Sequence, residues 1–245
     1  MRTDEVGRLS EMTAVAEATS GAYAPRLAGA TEPTTLHLVL HGGPSGWRGA
    51  VKRVIDIAGA AVSLVVVLPI LIVAAAGVRL SSPGPVLYRQ TRVGRYGRNF
   101  TMLKFRTFPI DHVPPTSVVE DHHNALVPAT LSPLRFGRLL RQTSFDELPQ
   151  LINVLRGDMS LVGPRPERPE LVSELEDRIP HYRDRHRAPV GLTGHAQVKG
   201  FCGTTPIEHR VAADNEYIDQ WTLRGDLAIL AKTVPTLIRK VRSEI

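Results

Sequence analysis

From Ile57 to Val78 the chain carries no charged side chain. The run reads IAGAAVSLVVVLPILIVAAAGV, and about 20 apolar residues in a helix suffice to cross the hydrocarbon of a bilayer. A core helix of a water-soluble domain keeps a polar face, which this run lacks. The run is therefore expected to sit in a membrane. Pro69 lies near its middle, and a proline inside a helix removes a hydrogen bond and kinks the axis. Basic residues stand at both ends: Lys52 and Arg53 before the run, then Arg79, Arg89, Arg92, Arg95 and Arg98 after it. Basic residues favour the cytoplasmic side, so a straight crossing puts one cluster on the disfavoured face. A helix that enters, breaks at Pro69 and returns keeps both clusters on one side and places Asp56 at the interface. A single kinked span is the alternative.

The flanks divide the chain into three parts. Residues 1–34 contain Asp4, Glu5, Arg8, Glu11, Glu17, Arg26 and Glu32, so no apolar signal-peptide core forms there. Residues 1–48 are expected to form a flexible tail. Within it Leu36-His37-Leu38-Val39-Leu40 reads as a strand or docking segment, ended by Gly42-Gly43-Pro44. Residues 49–80 are the anchor. Residues 81–245 form the remaining domain. Ser81-Ser82-Pro83-Gly84-Pro85 stops the helix. Val86–Gln90 and the alternating stretch Phe100–Phe108 read as two strands of a hairpin, and 109–130 as a loop.

Charge narrows the partners. Thirty Lys and Arg against 24 Asp and Glu leave a net +6, which suits an anionic partner: nucleic acid, a membrane surface or a phosphorylated substrate. The charged stretch Arg178–Arg187 has only Tyr182 as a stacking aromatic, so nucleic acid is disfavoured. That stretch is expected to face solvent or lipid headgroups. One cysteine, Cys202, excludes an internal disulfide framework and a four-cysteine zinc site. Asp121-His122-His123, and His181 with His186, do not complete a ligand set at usable spacing.

The chemistry gathers around Ser144-Phe145-Asp146-Glu147-Leu148-Pro149. Leu148, Leu151, Ile152 and Leu155 recur at helical spacing, and Gly157 ends the helix. One reading makes Asp146 the N-cap and pairs Ser144 with Glu147 in a capping box. The other is catalytic. Beyond the helix, Gly163-Pro164-Arg165-Pro166-Glu167 sets a guanidinium between two prolines, and guanidinium forks match phosphate oxygens. Lys104 and Arg141 lie upstream. An acid pair among fixed cations suits a divalent metal and a diphosphate. A carboxylate can also attack phosphorus and form an acyl phosphate.

Several ordered blocks make the chain similar to the bacterial sugar transferases, the monotopic phosphoglycosyl transferases that act on polyprenyl phosphate. They are Lys52-Arg53-Val54-Ile55-Asp56, Ser82-Pro83-Gly84-Pro85-Val86, Lys104-Phe105-Arg106-Thr107, Thr143 to Gln150, Leu151 to Pro166, Pro189 to Val198, and Tyr217 with Trp221 and Asp226. The resemblance runs from about Val51 to the C-terminus. It implies that Asp146 attacks the β-phosphate of a nucleotide-diphosphate sugar, with a UDP-sugar expected. The nucleoside monophosphate leaves, and polyprenyl (undecaprenyl) phosphate then takes the sugar phosphate from the enzyme. Glu147 assists in metal binding or proton handling, Mg²⁺ rests on Asp146 and Glu147, and Lys104, Arg141 and Arg165 bind phosphate. It further implies the cytoplasmic face of a bacterial inner membrane and the first lipid-linked step of an exopolysaccharide or glycan. The sequence departs from the family at Leu68-Pro69, where Ser-Pro is usual. It also departs at Lys199-Gly200, where Asn-Gly is usual, and through Phe201–Thr205. These last positions bear on the choice of donor.

The expected architecture is α+β and mainly helical: a re-entrant membrane helix, a β-hairpin, a small catalytic domain and interfacial amphipathic helices. Leu227, Leu230, Val234, Leu237 and Ile238 mark one face of a C-terminal helix, with Lys232, Arg239, Lys240 and Arg242 elsewhere, a pattern suited to an anionic lipid surface. The competing reading is a membrane-anchored basic scaffold without chemistry. The sequence carries no signal of oligomeric state.

Overall fold

The computed structural model describes residues 43–109, 118–120, 126–128, 134–201 and 205–244. The expected tail up to position 42, the Leu36–Leu40 segment, Asp121-His122-His123 and Cys202 lie outside the described residues.

Helix α1 spans Gly46–Ser81, 36 residues, with Pro69 inside it. At 1.5 Å per residue it is about 54 Å long. The expected break at Pro69 is not a gap in the helix, which runs through the proline. In apolar surroundings local adjustment absorbs the missing donor. Its apolar side chains are left open: Val62, Val65, Val66, Ile72 and Val73 are each more than half exposed. Only 11% of its most apolar window is buried, which separates it from the core helix of a soluble protein.

The two ends of α1 are bound to the same domain. At the start, Lys52 Nζ donates to Asp226 Oδ2 at 2.7 Å and lies 3.6 Å from Asp56. The Asp56 carboxylate accepts the Leu161 N–H at 3.1 Å. Asp56 is therefore docked in protein, where burial beside Lys52 and a backbone donor satisfies its charge. Arg53 caps the C-terminal end of the Gln150–Arg156 helix by donating to Val154 O at 2.6 Å and Leu155 O at 2.9 Å. At the far end, Arg106 donates to Ser82 O and Pro83 O. The tether also extends ahead of α1, since Gly43 N–H donates to Ile218 O at 2.8 Å.

Strands β1 (Leu87–Val93) and β2 (Asn99–Phe105) pair antiparallel, Gln90 opposite Met102. The turn between them holds Tyr96 at φ 59° and Gly97 at φ 73°. The expected hairpin is present, with its first strand three residues longer at the turn. Inside the expected loop, β3 (Val118–Glu120) pairs with β4 (Leu126–Pro128). Helix α2 (Arg135–Gln142) lays Phe136 and Leu140 against Ala74 and Val78 of α1. A Cβ at Gly77 would collide with the Phe136 ring.

A 3₁₀ turn over Phe145–Glu147 leads to α3 (Gln150–Arg156), which ends at Gly157, φ 97°. The capping box does not form: Ser144 is left-handed, φ 58°, makes no side-chain cap, and α3 starts only after Pro149. Next come β5 (Ser160–Val162), α4 (Pro169–Arg178), a 3₁₀ turn over Tyr182–Arg187, and β6 (Gly191–Thr193). Strands β5 and β6 run parallel, a pairing no local pattern predicted. Glycine is required where β6 meets the Gly163 backbone, since a Cβ on either Gly163 or Gly191 would overlap main chain. The stretch expected to face solvent or headgroups does so only in part: Arg178, His181 and Arg183 are exposed, but Tyr182, Arg185, His186 and Arg187 are buried. Asp214 and Asp219 on a later helix receive Arg185 and Arg187. His186 stays neutral, its pKa pushed down to about 3 by burial and then by Arg185.

Helices α5 (His195–Val198), α6 (Ile207–Asp219) and α7 (Leu223–Glu244) complete the domain. Tyr217 hydroxyl and Trp221 Nε1 both donate to Asp226, at 2.7 and 3.2 Å, so two residues converge on the carboxylate that holds Lys52. The face of α7 that packs inward carries Asp226, Ile229 and Leu230. Leu227, Val234, Leu237 and Ile238 remain exposed. The central core joins Ala60 of α1 to Met102, Leu151, Val154, Met159 and Ile218.

Candidate active site

The left-handed backbone at Ser144 turns the chain so that the following 3₁₀ turn points both acids inward. Asp146 is 2% and Glu147 9% exposed. A carboxylate so deep is tolerated only with compensating charge, and β2 supplies the first. Lys104, next to the last residue of that strand, places Nζ 3.1 Å from Glu147 Oε1. The loop after β5 supplies the second. Arg165 forks onto Glu147, with Nη2 2.7 Å from Oε1 and Nη1 3.2 Å from Oε2. Asp146 lies within the electrostatic reach of both cations.

These cations differ in how far they are satisfied. Burial lowers the Lys104 pKa, and the attraction of Glu147 and Asp146 does not fully restore it. For Arg165 burial acts in the same direction, but the charge and hydrogen bonds of Glu147 outweigh it and the pKa rises. A further anion arriving beside Lys104 would therefore be drawn to a charge the protein has only partly compensated. The Arg165 side chain is 22% exposed, against 8% for Lys104, so Arg165 is the more open of the two cations. Arg141 sits at the end of α2 with its guanidinium carbon 5.1 Å from the centre of the Phe108 ring. The structure thus brings Asp146, Glu147, Lys104 and Arg165 together, and stacks Arg141 on the aromatic beside them in sequence order.

Behind Arg165 lies a buried ion network. Glu167 is fully buried, with Arg92, Arg185 and Arg210 at 3.8, 3.8 and 3.6 Å. Arg185 also meets Asp214 at 2.7 Å and the Tyr182 hydroxyl at 3.1 Å. Burial pushes the Arg92 pKa down to about 10, with Glu167 opposing it. From the sequence Arg92 reads as a flanking charge and Arg185 as solvated. One signal was available for Arg92: it shares a strand face with Gln90, whose side chain accepts from it at 2.7 Å.

Magnesium ions are commonly held by one or two carboxylates together with substrate phosphates and water. Asp146 and Glu147 are donors of that type. Both Glu147 oxygens already accept from cations, so its service as a ligand requires the Arg165 fork to open. Among the described residues no group of three or more His, Cys, Asp or Glu is gathered around one point. The residues fit an ion that takes its other ligands from a diphosphate.

With the site in view, comparison with known proteins identifies the class. The sequence model of the family described as bacterial sugar transferase matches residues 47–240, and the chain belongs to that family. Among its relatives is a Caulobacter vibrioides protein named UDP-glucose:undecaprenyl-phosphate glucose-1-phosphate transferase. The two are 44% identical over 213 residues, 84% of this chain and 78% of the relative. A protein of the same name from Xanthomonas campestris pv. campestris is 41% identical over 71% of this chain and 36% of its own length. An Aeromonas hydrophila protein named UDP-N-acetylgalactosamine-undecaprenyl-phosphate N-acetylgalactosaminephosphotransferase is 34% identical over 80% of this chain and 45% of its own. The chain spans most of the first relative and less than half of the other two.

Proposed function

We propose that this protein transfers a sugar-1-phosphate from a UDP-sugar to undecaprenyl phosphate, with Asp146 as the nucleophile. The observation that carries the reading is the buried acid pair braced by Lys104 and Arg165, on a domain that also holds both ends of an exposed apolar helix. The relatives' names supply the substrate class. They differ in the sugar, so the residues shared by the family do not fix it.

As the diphosphate arrives, Lys104 and Arg165 exchange Glu147 oxygens for phosphate oxygens, and Arg141 adds positive charge at the rim. An Asp146 carboxylate oxygen attacks the β-phosphorus. The bond from that phosphorus to the bridging oxygen breaks, and UMP leaves with the bond's electrons. An acyl phosphate then joins Asp146 to the sugar phosphate. A phosphate oxygen of undecaprenyl phosphate attacks the same phosphorus, and the Asp146 carboxylate departs. Magnesium, when bound by Asp146 and Glu147, would neutralise charge on the diphosphate. Glu147, freed from the fork, serves that ion or the proton traffic.

The anchor reading follows from the two docked ends of α1. A helix whose termini are both tied to one domain and whose middle is apolar and open enters a single leaflet and returns, bending within its length around Pro69. The open stripe Leu227, Val234, Leu237 and Ile238 of α7 lies in the interface of the same leaflet. The site then works at the cytoplasmic face of the inner membrane, where it starts a lipid-linked polysaccharide.

The test uses the full chain in detergent with Mg²⁺, undecaprenyl phosphate and a panel of UDP-sugars. The expected result is UMP release with one or a few donors and a matching lipid-linked sugar diphosphate. Absence of UMP release with every donor would instead favour the membrane-anchored scaffold.

A further inference from the structure

Each successive carbonyl from Pro164 to Glu167 accepts a hydrogen bond from outside the loop. Pro164 O takes the Gly191 N–H at 2.8 Å, and Glu167 O takes the Val93 N–H at 2.9 Å. Arg165 O takes Arg185 Nη2 at 3.0 Å, and Pro166 O takes Arg92 Nη1 at 3.1 Å. The two prolines have fixed φ and no N–H to redirect the chain. The loop that carries Arg165 is therefore held on its acceptor side by strands β1 and β6 and by two buried guanidinium groups.

Arg185 is placed to transmit order to Arg165. The nitrogen that holds Arg165 O also bonds Asp214 Oδ2 at 2.7 Å, and its other terminal nitrogen bonds Tyr182. Its side chain is 2% exposed, so it touches no ligand. Asp214 stands on α6 and Arg185 on the Tyr182–Arg187 turn, and their ion pair locks these elements to the Arg165 backbone. A guanidinium can make these divergent bonds at once because its donors are fixed in a planar fork, whereas a lysine ammonium is a single point on a flexible stem.

We infer that Arg185 is a positioning residue for the phosphate-binding Arg165, acting through the Arg165 carbonyl. The inference rests on the reading of Arg165 as a ligand of the donor diphosphate. Misplacement of a binding group by about 1 Å costs as much as 100-fold in rate. Arg185→Lys keeps the charge that Asp214 and Glu167 require but loses the fork, so it loosens Arg165 without stranding buried carboxylates.

The experiment is a double-mutant cycle on kcat/KM for the UDP-sugar, with melting temperature measured on all four proteins. Arg165→Ala alone is expected to lower kcat/KM by about 100-fold or more, as loss of a preorganised charge-stabilising donor does. Arg185→Lys alone is expected to lower it about 10- to 100-fold. In the Arg165→Ala background the same Arg185→Lys change is expected to cost less than about 2-fold, because coupled residues are not additive. Its melting-temperature decrement should be the same in both backgrounds. Additive losses in kcat/KM would overturn the inference and leave the Arg165 reading intact. An unchanged kcat/KM for Arg165→Ala would overturn both. If Arg185→Lys does not fold, Asp214→Asn replaces it, since it weakens the brace from the other side. A loss for Asp214→Asn that vanishes in the Arg165→Ala background supports the inference, and one that persists overturns it.

Discussion

Asp146→Asn is expected to lower turnover by about four orders of magnitude or more, the scale on which loss of a nucleophile acts. Asparagine keeps the shape of the side chain, so the 3₁₀ turn and its left-handed lead at Ser144 can persist. It removes the anionic oxygen that attacks phosphorus. The same change leaves the donor pocket's cations in place, because the direct bonds of Lys104 and Arg165 run to Glu147. Binding of the UDP-sugar found active should therefore survive while turnover disappears. The check is a pair of measurements on one preparation: UMP release and binding of that UDP-sugar. Full turnover by the asparagine variant would remove Asp146 from the chemistry.

The second large effect concerns stability. Glu167→Gln is expected to destabilise the domain by about 3–5 kcal/mol, the cost of stripping one partner from a buried ion cluster. Such a loss is a large fraction of the 5–15 kcal/mol typical of a folded domain. The variant retains volume and hydrogen-bonding atoms but leaves Arg92 and Arg185, both 2% exposed or less, short of a countercharge. Distance to these arginines alone would rank the sites the other way. Glu174 pairs with Arg178 at 2.7 Å, closer than Arg92, Arg185 or Arg210 comes to Glu167, but with side chains 60% and 66% exposed. Glu174→Gln should cost less than about 1 kcal/mol, as surface pairs do. Thermal or urea unfolding of both variants in the same detergent gives the comparison. Equal losses would mean that burial does not set the worth of these pairs.

These two sites mark where the sequence was legible. The anchor was plain because a bilayer demands a continuous apolar run, and Ile57–Val78 satisfies that demand locally. The acid pair and Arg165 were found because their residue types, the flanking prolines and the order of the blocks all lie within short stretches. The network behind them is not legible, because its partners are distant in the chain: Arg92 reaches Pro166, and Arg185 reaches Asp214, across 74 and 29 positions. A charged side chain seen alone is assigned to solvent, which is why Arg185 and Arg187 are expected outside and are inside. The capping box failed for a related reason. Ser144 and Glu147 have the right spacing, but Lys104 and Arg165 offer Glu147 stronger, charge-assisted partners than a backbone N–H. The left-handed Ser144 serves that arrangement instead of the helix start.

The central claim is that Asp146 carries the sugar phosphate between the two substrates. It is tested most directly by incubating the protein with UDP-glucose labelled in the sugar, or with whichever UDP-sugar proves active, in the absence of undecaprenyl phosphate. The account predicts label that stays with the denatured protein, maps to the peptide containing Asp146, and passes to lipid when undecaprenyl phosphate is added before denaturation. Wild-type protein that forms the lipid product at full rate, and never retains label under rapid quench, would contradict it.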